Sequence, residues 1–120
     1  MLNGKTVFLS GPISADPDYY EKFMGAEEHC CMMGAKEVWN PARLQKGLTY
    51  DQYMFINLSA IKMGGCAYTG NTWMQCDIPD ILVTLPGYLN SPGSAREVKE
   101  AYDRGIQVVK FEELEGQVKI

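Results

Sequence analysis

The chain has 120 residues and a formal net charge of −4, with 46% hydrophobic and 22% charged residues. That is the size of one domain around one core, so residues 1–120 are expected to form a single domain. No long basic run is present, which argues against a nucleic-acid duplex as ligand, because binding a phosphate backbone needs clustered Lys and Arg.

In chain order, "KTVFLSG" (5–11) is a short apolar run stopped by Gly-Pro and predicts a buried strand. "DPDYYEKFMGAEEHCCMMG" (16–34) predicts a helix, with Tyr20, Phe23, Met24, Glu27 and Cys31 near helical spacing. "KEVWNP" (36–41) is a second short strand, and "ARLQKGL" a loop. "TYDQYMFINLSAIKM" (49–63) predicts a second helix with a wide apolar face of Tyr53, Met54, Ile56, Leu58 and Ile61. "GGCAYTGNTWMQC" (64–76) breaks the pattern. It is glycine-rich, aromatic and uncharged, and it reads as an insert serving as a lid, an interface arm or a binding loop. "PDILVTLPG" (79–87) is the third strand, "SAREVKEAYDRG" (94–105) the third helix and "IQVVKF" (106–111) the fourth strand. The tail "EELEGQVKI" has room for one more short element.

The opening "MLNGKTVFLSG" has no charged segment followed by a long apolar stretch, and no apolar run nears the ~20 residues that span a membrane. A cytoplasmic protein with no membrane partner is therefore expected. Cys30, Cys31, Cys66 and Cys76 form no C-x-x-C, and His29 is the one histidine. This pattern predicts reduced, partly buried thiols, no metal site and no cofactor.

Alternating strands and helices predict an α/β fold: a three-layer, flavodoxin-like or Rossmann-like sandwich with a mostly parallel sheet of four to five strands. In such sheets ligands bind beyond the carboxyl ends of the strands. That singles out the loops "SGPIS", "NPARL" and "PGYLNSPGS". On the third helix, Ala95, Val98, Ala101 and Tyr102 share a face, and Glu97 falls on its edge. Ser91 and Gly93 lie just before this helix, where free N–H groups hold anions. A phosphate gripped there, with Glu97 beside the sugar, suits retaining glycosyl chemistry. Equally, Ser91 is a common N-cap and Glu97 a common first-turn residue.

Three segments in order, "FLSGPIS", "VWNPARL…GLTYDQYM" and "CDIPDILVTLPGYLNSPGSAREVKEAYDRG", resemble the nucleoside 2-deoxyribosyltransferase-like superfamily. They are most similar to its small, often phage-encoded branch of unknown function. The resemblance covers most of the chain. It implies a flavodoxin-like fold, cleavage of an N-glycosidic bond in a small-molecule nucleotide, and a homodimer or higher homo-oligomer. It places Glu97 at the nucleophile that attacks C1′. Six residues earlier, transferases of free nucleosides tend to carry Asp, whereas 2′-deoxynucleoside 5′-phosphate N-hydrolases carry Ser. Ser91 matches the hydrolases, and a hydroxyl suits a phosphate that a carboxylate repels.

The family usually has an aspartate in the preceding helix, and Asn57 takes that second catalytic position here. Asn hydrogen-bonds a hydroxyl but is no acid or base at neutral pH; Asp77, Asp80 or a residue of the insert acting as a lid are the candidate substitutes. The resemblance also implies substrate binding by Gly11, Pro12 and Ile13, by Phe8 (where relatives often have Tyr), and by Gly87, Ser91, Gly93 and Ser94. Asn40 either reads a base edge or caps a turn. Tyr68 and Trp73 either stack on a base or pack at a subunit contact. Tyr88 and Arg96 border the site.

Overall fold

The computed structural model describes residues 2–116. In chain order the elements are β1 (Thr6–Ser10), α1 (Tyr19–Met32), β2 (Glu37–Trp39), α2 (Tyr50–Met63), β3 (Gly65–Tyr68), β4 (Trp73–Cys76), β5 (Ile81–Thr84), α3 (Pro92–Asp103), β6 (Gln107–Lys110) and α4 (Phe111–Glu115). Single turns of 3-10 helix lie at Pro41–Arg43 and Tyr88–Asn90. The main sheet has four parallel strands in the order β2-β1-β5-β6, with helices on both faces. This is the expected flavodoxin-like architecture. The strand order reverses between β1 and β5, which opens a crevice at their carboxyl ends.

Strand parity divides the core in two. Val7 and Leu9 of β1, with Ile81 and Val83 of β5, pack with Phe23, Ala26 and Cys30 of α1 and Leu114 of α4. Phe8 and Leu82 point to the other face and pack with Trp39, with Ala60 and Ile61 of α2, and with Ala101 of α3. Ser10 has the parity of Phe8, so β1 aims its last side chain at α3. A reciprocal cap starts α2: the Gln52 N–H donates to Thr49 Oγ1 at 3.1 Å, and the Thr49 N–H to Gln52 Oε1 at 2.9 Å. This cap holds the start of α2 beside the crevice.

Two helix faces differ from expectation. In α1 the buried row is Phe23, Ala26 and Cys30, while Tyr20 and Cys31 are exposed. Both rows satisfy helical spacing, and periodicity alone does not choose between adjacent rows. In α3 the buried row is Ser94, Glu97 and Ala101. Ala95 and Tyr102 lie outside. Ala101 is buried and Val98 packs against the core as expected, but the inward face of α3 is polar at its start because it lines a cleft there, which turns Ala95 and Tyr102 outward.

The insert is an antiparallel hairpin of β3 and β4 where the sequence suggested an irregular loop. Its inner residues Ala67, Met74 and Cys76 pack in the cluster of Trp39. Gly65 is needed there, because a Cβ at this position meets Trp39 Cζ3 at 2.3 Å. Tyr68 and Trp73 pair on the outside with ring centroids 5.4 Å apart. The fourth strand ends at Lys110, and Phe111 begins α4, so the tail contributes a helical turn. Residues 117–120 of the tail lie outside the described residues. All four cysteines are free, with Cys30 and Cys76 buried and Cys31 and Cys66 exposed. Burial pushes the Cys30 and Cys76 thiols up to about 12, which leaves them unreactive. No described helix is long and apolar enough to cross a membrane.

Candidate active site

A cleft of about 340 Å³ opens at the strand-order reversal. The loop after β1 contributes Gly11, Ile13 and Ser14, and Pro41 follows β2. Leu48, Thr49, Tyr50, Tyr53 and Met54 line the side formed by α2, and Ser91, Pro92, Gly93, Ser94 and Glu97 the side formed by α3. The volume suits a small organic ligand. Gly11 allows this packing, because a Cβ there comes within 2.9 Å of the Leu85 Cβ.

Glu97 is the one carboxyl that lines the cleft, and it is 3% exposed. The Ser10 hydroxyl donates a hydrogen bond to its Oε1 at 2.6 Å. Burial pushes the Glu97 carboxyl up to about 8, against the smaller opposing effects of Ser10 and the positive charge of Arg96. Tyr53, on the facing helix, is raised chiefly by burial and then by the charge of Glu97. Glu97 is therefore mostly protonated at neutral pH, and its ionised fraction grows as the pH rises towards about 8. In that range a carboxyl serves as nucleophile, base or acid.

The start of α3 supplies the other half of the site. Ser91 is its N-cap, and Ser91 Oγ accepts the Ser94 N–H at 3.3 Å. Pro92 removes one donor and fixes the first turn. Gly93 opens the approach to the backbone; a Cβ there lies 3.2 Å from Met54 Sδ. Ser94 Oγ is buried and has no hydrogen-bond partner. A buried hydroxyl without a partner in a cleft wall is positioned for a ligand. With the positive end of the helix dipole beside it, the natural ligand group is an anion.

The cleft thus brings together Gly11, Ile13, Ser91, Gly93, Ser94 and Glu97 from the sequence expectation. Phe8, Pro12, Asn40, Asn57 and Gly87 are not among its lining residues. Phe8 is fully buried one step below Ser10 on the same side of β1. Pro12 and Gly87 are neighbours outside the lining, where a Cβ on Gly87 meets Pro12 Cγ at 3.4 Å. Asn57 is buried under Tyr53: its Oδ1 accepts the Trp39 Nε1–H at 2.8 Å, and its Nδ2 has no partner within hydrogen-bonding distance. Asp80 binds the Thr6 N–H at the opposite, amino end of β1, and Asp77 pairs with Lys36 on the surface. Neither substitutes for an acid in the cleft.

Asn40 caps a turn. Its Oδ1 accepts the Ala42 N–H at 3.0 Å, and its Nδ2 donates to Glu27 Oε1 at 2.9 Å. Glu27 in turn holds Arg43 through both carboxylate oxygens at 2.8 Å. This network fixes Pro41 at the cleft wall. Asn40→Ala is expected to lower stability by about 1–2 kcal/mol, because it removes a cap and a buried partner of Glu27. Urea unfolding measures it, and an unchanged midpoint contradicts the capping role.

Ser10, Ser14, Pro41 and Pro92 fell within the three singled-out loops without individual roles, and Leu48, Thr49, Tyr50, Tyr53 and Met54 carried no site role in the sequence reading. Strand parity finds Ser10, and a helix that follows a parallel strand starts at the ligand end of the sheet, which finds Tyr50 and Tyr53.

Neither curated proteins nor solved structures gave a match to the chain. A family model described as a domain of unknown function (DUF4406) matches residues 5–110, from just before β1 to the end of β6 and across every residue of the cleft, and the chain belongs to that family.

Proposed function

We propose that the cleft binds a (deoxy)nucleoside 5′-monophosphate and that Glu97 cleaves its N-glycosidic bond. The observation that carries this reading is the pairing of one buried carboxyl with an open helix start in a single cleft. The phosphate sits on the Gly93 N–H and the Ser94 hydroxyl, with Ser91 beside it. Pro41, Leu48 and Met54 offer apolar surface to the base. Ionised Glu97 attacks C1′, an Oε–C1′ ester forms, and the base leaves with the bonding electron pair. Water then adds its oxygen to C1′ and breaks the ester, its proton ending on the nitrogen of the departed base, which releases sugar phosphate and neutral base and regenerates the carboxylate. Ser91 in place of a carboxylate favours hydrolysis of nucleotides over transfer between free nucleosides. The protein acts in the cytoplasm as a homo-oligomer in this reading, with the exposed Tyr68–Trp73 pair as a contact surface.

One observation favours a second reading, a nucleotide-binding or nucleotide-sequestering protein with weakened chemistry. No second carboxylate lines the cleft, and Asn57 is committed to Trp39.

Incubation with a panel of ribo- and deoxyribonucleoside monophosphates, read by chromatography for free base, separates the two. Release supports the glycosidase; binding by calorimetry without release supports the binder. The pH profile adds a sign. A nucleophile must be ionised, and Glu97 is pushed up to about 8. The kcat/KM is therefore expected to rise roughly tenfold per pH unit below about 8 and then level off. A rate that falls across that range would make Glu97 a general acid instead.

A further inference from the structure

Arg96 lies one residue before Glu97 on α3, and its guanidinium stands 5.9 Å from the centroid of the Tyr50 ring. Tyr50 lines the cleft. Gly93 and Arg96 are three residues apart on one helix, so they are surface neighbours. A Cβ on Gly93 lies 4.0 Å from Tyr50 Cε1, so Gly93, Tyr50 and Arg96 converge at the mouth of the cleft. The buried, unpartnered Ser94 hydroxyl belongs to the same helix start.

Its place against the cleft sets Arg96 apart, since Lys5, Lys46 and Lys110 are also without an ion pair among the described residues. Lys22, Lys36, Arg43, Lys62, Lys99 and Arg104 each have a carboxylate within 4.0 Å. Arg96 has none among the described residues, and it is the one unpaired cation that stacks on a cleft-lining side chain. An exposed cation–π stack is weaker than a charge-assisted hydrogen bond, so an anion in the cleft outcompetes the Tyr50 ring for the guanidinium.

We propose that Arg96 captures the anion of this cleft: its guanidinium leaves the Tyr50 ring and closes over a phosphate seated on Gly93 and Ser94, which sets the preference for phosphorylated over unphosphorylated ligands. The inference rests on the reading that the cleft takes a phosphate-bearing ligand. It gives the site the positive side chain that its lining residues lack. The guanidinium supplies planar paired donors that a lysine does not, so the two are not equivalent here.

Calorimetric titration in the Glu97→Gln background, where turnover is blocked, tests it. The probes are the four 2′-deoxynucleoside 5′-monophosphates, the matching nucleosides and inorganic phosphate. Arg96→Ala is expected to weaken the bound monophosphate at least ~10-fold and the nucleoside less than ~2-fold, and to flatten the salt dependence. Arg96→Lys recovers part of the loss. Arg96 is exposed, so circular dichroism of the variants is expected to match the parent. If a monophosphate binds and Arg96→Ala leaves its affinity unchanged, the Arg96 inference alone is overturned. If Arg96→Ala weakens nucleoside and monophosphate alike, Arg96 is only a wall of the cleft and the inference again fails. If no phosphate-bearing probe binds, both this inference and the underlying reading are overturned.

Discussion

Glu97→Gln is expected to abolish base release, by at least ~1,000-fold, while nucleotide affinity changes little. The amide has the shape of the carboxyl and still accepts from Ser10, so the cleft keeps its form; what it loses is the atom that bonds to C1′. The same substitution carries a second, independent signature. The Glu97 carboxyl is pushed up from 4.5 to about 8 in the folded chain by burial. Between those pH values the folded state binds the proton that the unfolded state has lost. The contribution to stability is therefore full below about 4.5 and is lost as pH rises through about 8. Glutamine has no such titration. Relative to the parent, Glu97→Gln should gain roughly 3–5 kcal/mol between pH 4 and pH 9, following the size of the shift. Urea unfolding at the two pH values reads the gain, and chromatography reads the loss of turnover. Full turnover in the variant removes the catalytic assignment. A pH-independent stability difference removes the buried, titrating carboxyl.

Gly65→Ala is expected to destabilise the protein by about 3 kcal/mol or more, an unusually large effect for a single added methyl. The added Cβ meets three atoms of the Trp39 ring at 2.3 to 2.7 Å. Trp39 is fully buried between the hairpin and the sheet and donates to Asn57. A shift of the ring breaks that bond and leaves Asn57 with neither end satisfied. Gly25→Ala on α1 is the matched control, because a Cβ there meets nothing within 4 Å. In a helix interior that change is expected to stabilise by up to about 1 kcal/mol. Thermal or urea unfolding of the pair gives opposite signs if the close approach to Trp39 governs Gly65. Equal, small effects would mean that the hairpin moves freely away from the sheet.

The main sheet was legible in the sequence because its strands are short apolar runs ended by Gly-Pro, Asn-Pro or Pro-Gly, and because its helices alternate with them. The hairpin was not. Its strands are four residues each, and the alternation in "GCAY" and "WMQC" is too short to outweigh its glycines and lack of charge. Within the site, Gly11, Ile13, Ser91, Gly93, Ser94 and Glu97 were legible as loop and helix-start residues beyond the strand ends. Phe8 and Asn57 were placed in the site by the family resemblance, yet each is buried in the layer beneath the cleft. Ser10 and Tyr53 were passed over because their place depends on strand parity and helix direction, which become definite only once the sheet is assembled. The polar row on α3 ran against the usual rule that the inward face is apolar, and a cleft at that point is the reason.

The hydrogen bond from Ser10 to Glu97 joins residues 87 positions apart, and the whole of α2 with the hairpin lies between them. Among the described residues, neither of these two side chains has a hydrogen-bond partner nearer in the chain. Loop closure of that length precedes any reward from the contact, and parallel pairing of β1 with β5 is slow for the same reason. The cleft therefore assembles late, together with the central strand pair. On refolding from urea, ligand binding should return with the slowest native phase rather than with the early helical signal. For the same reason, a chain cut in the β3–β4 turn recovers binding only where its two fragments reassociate around the sheet.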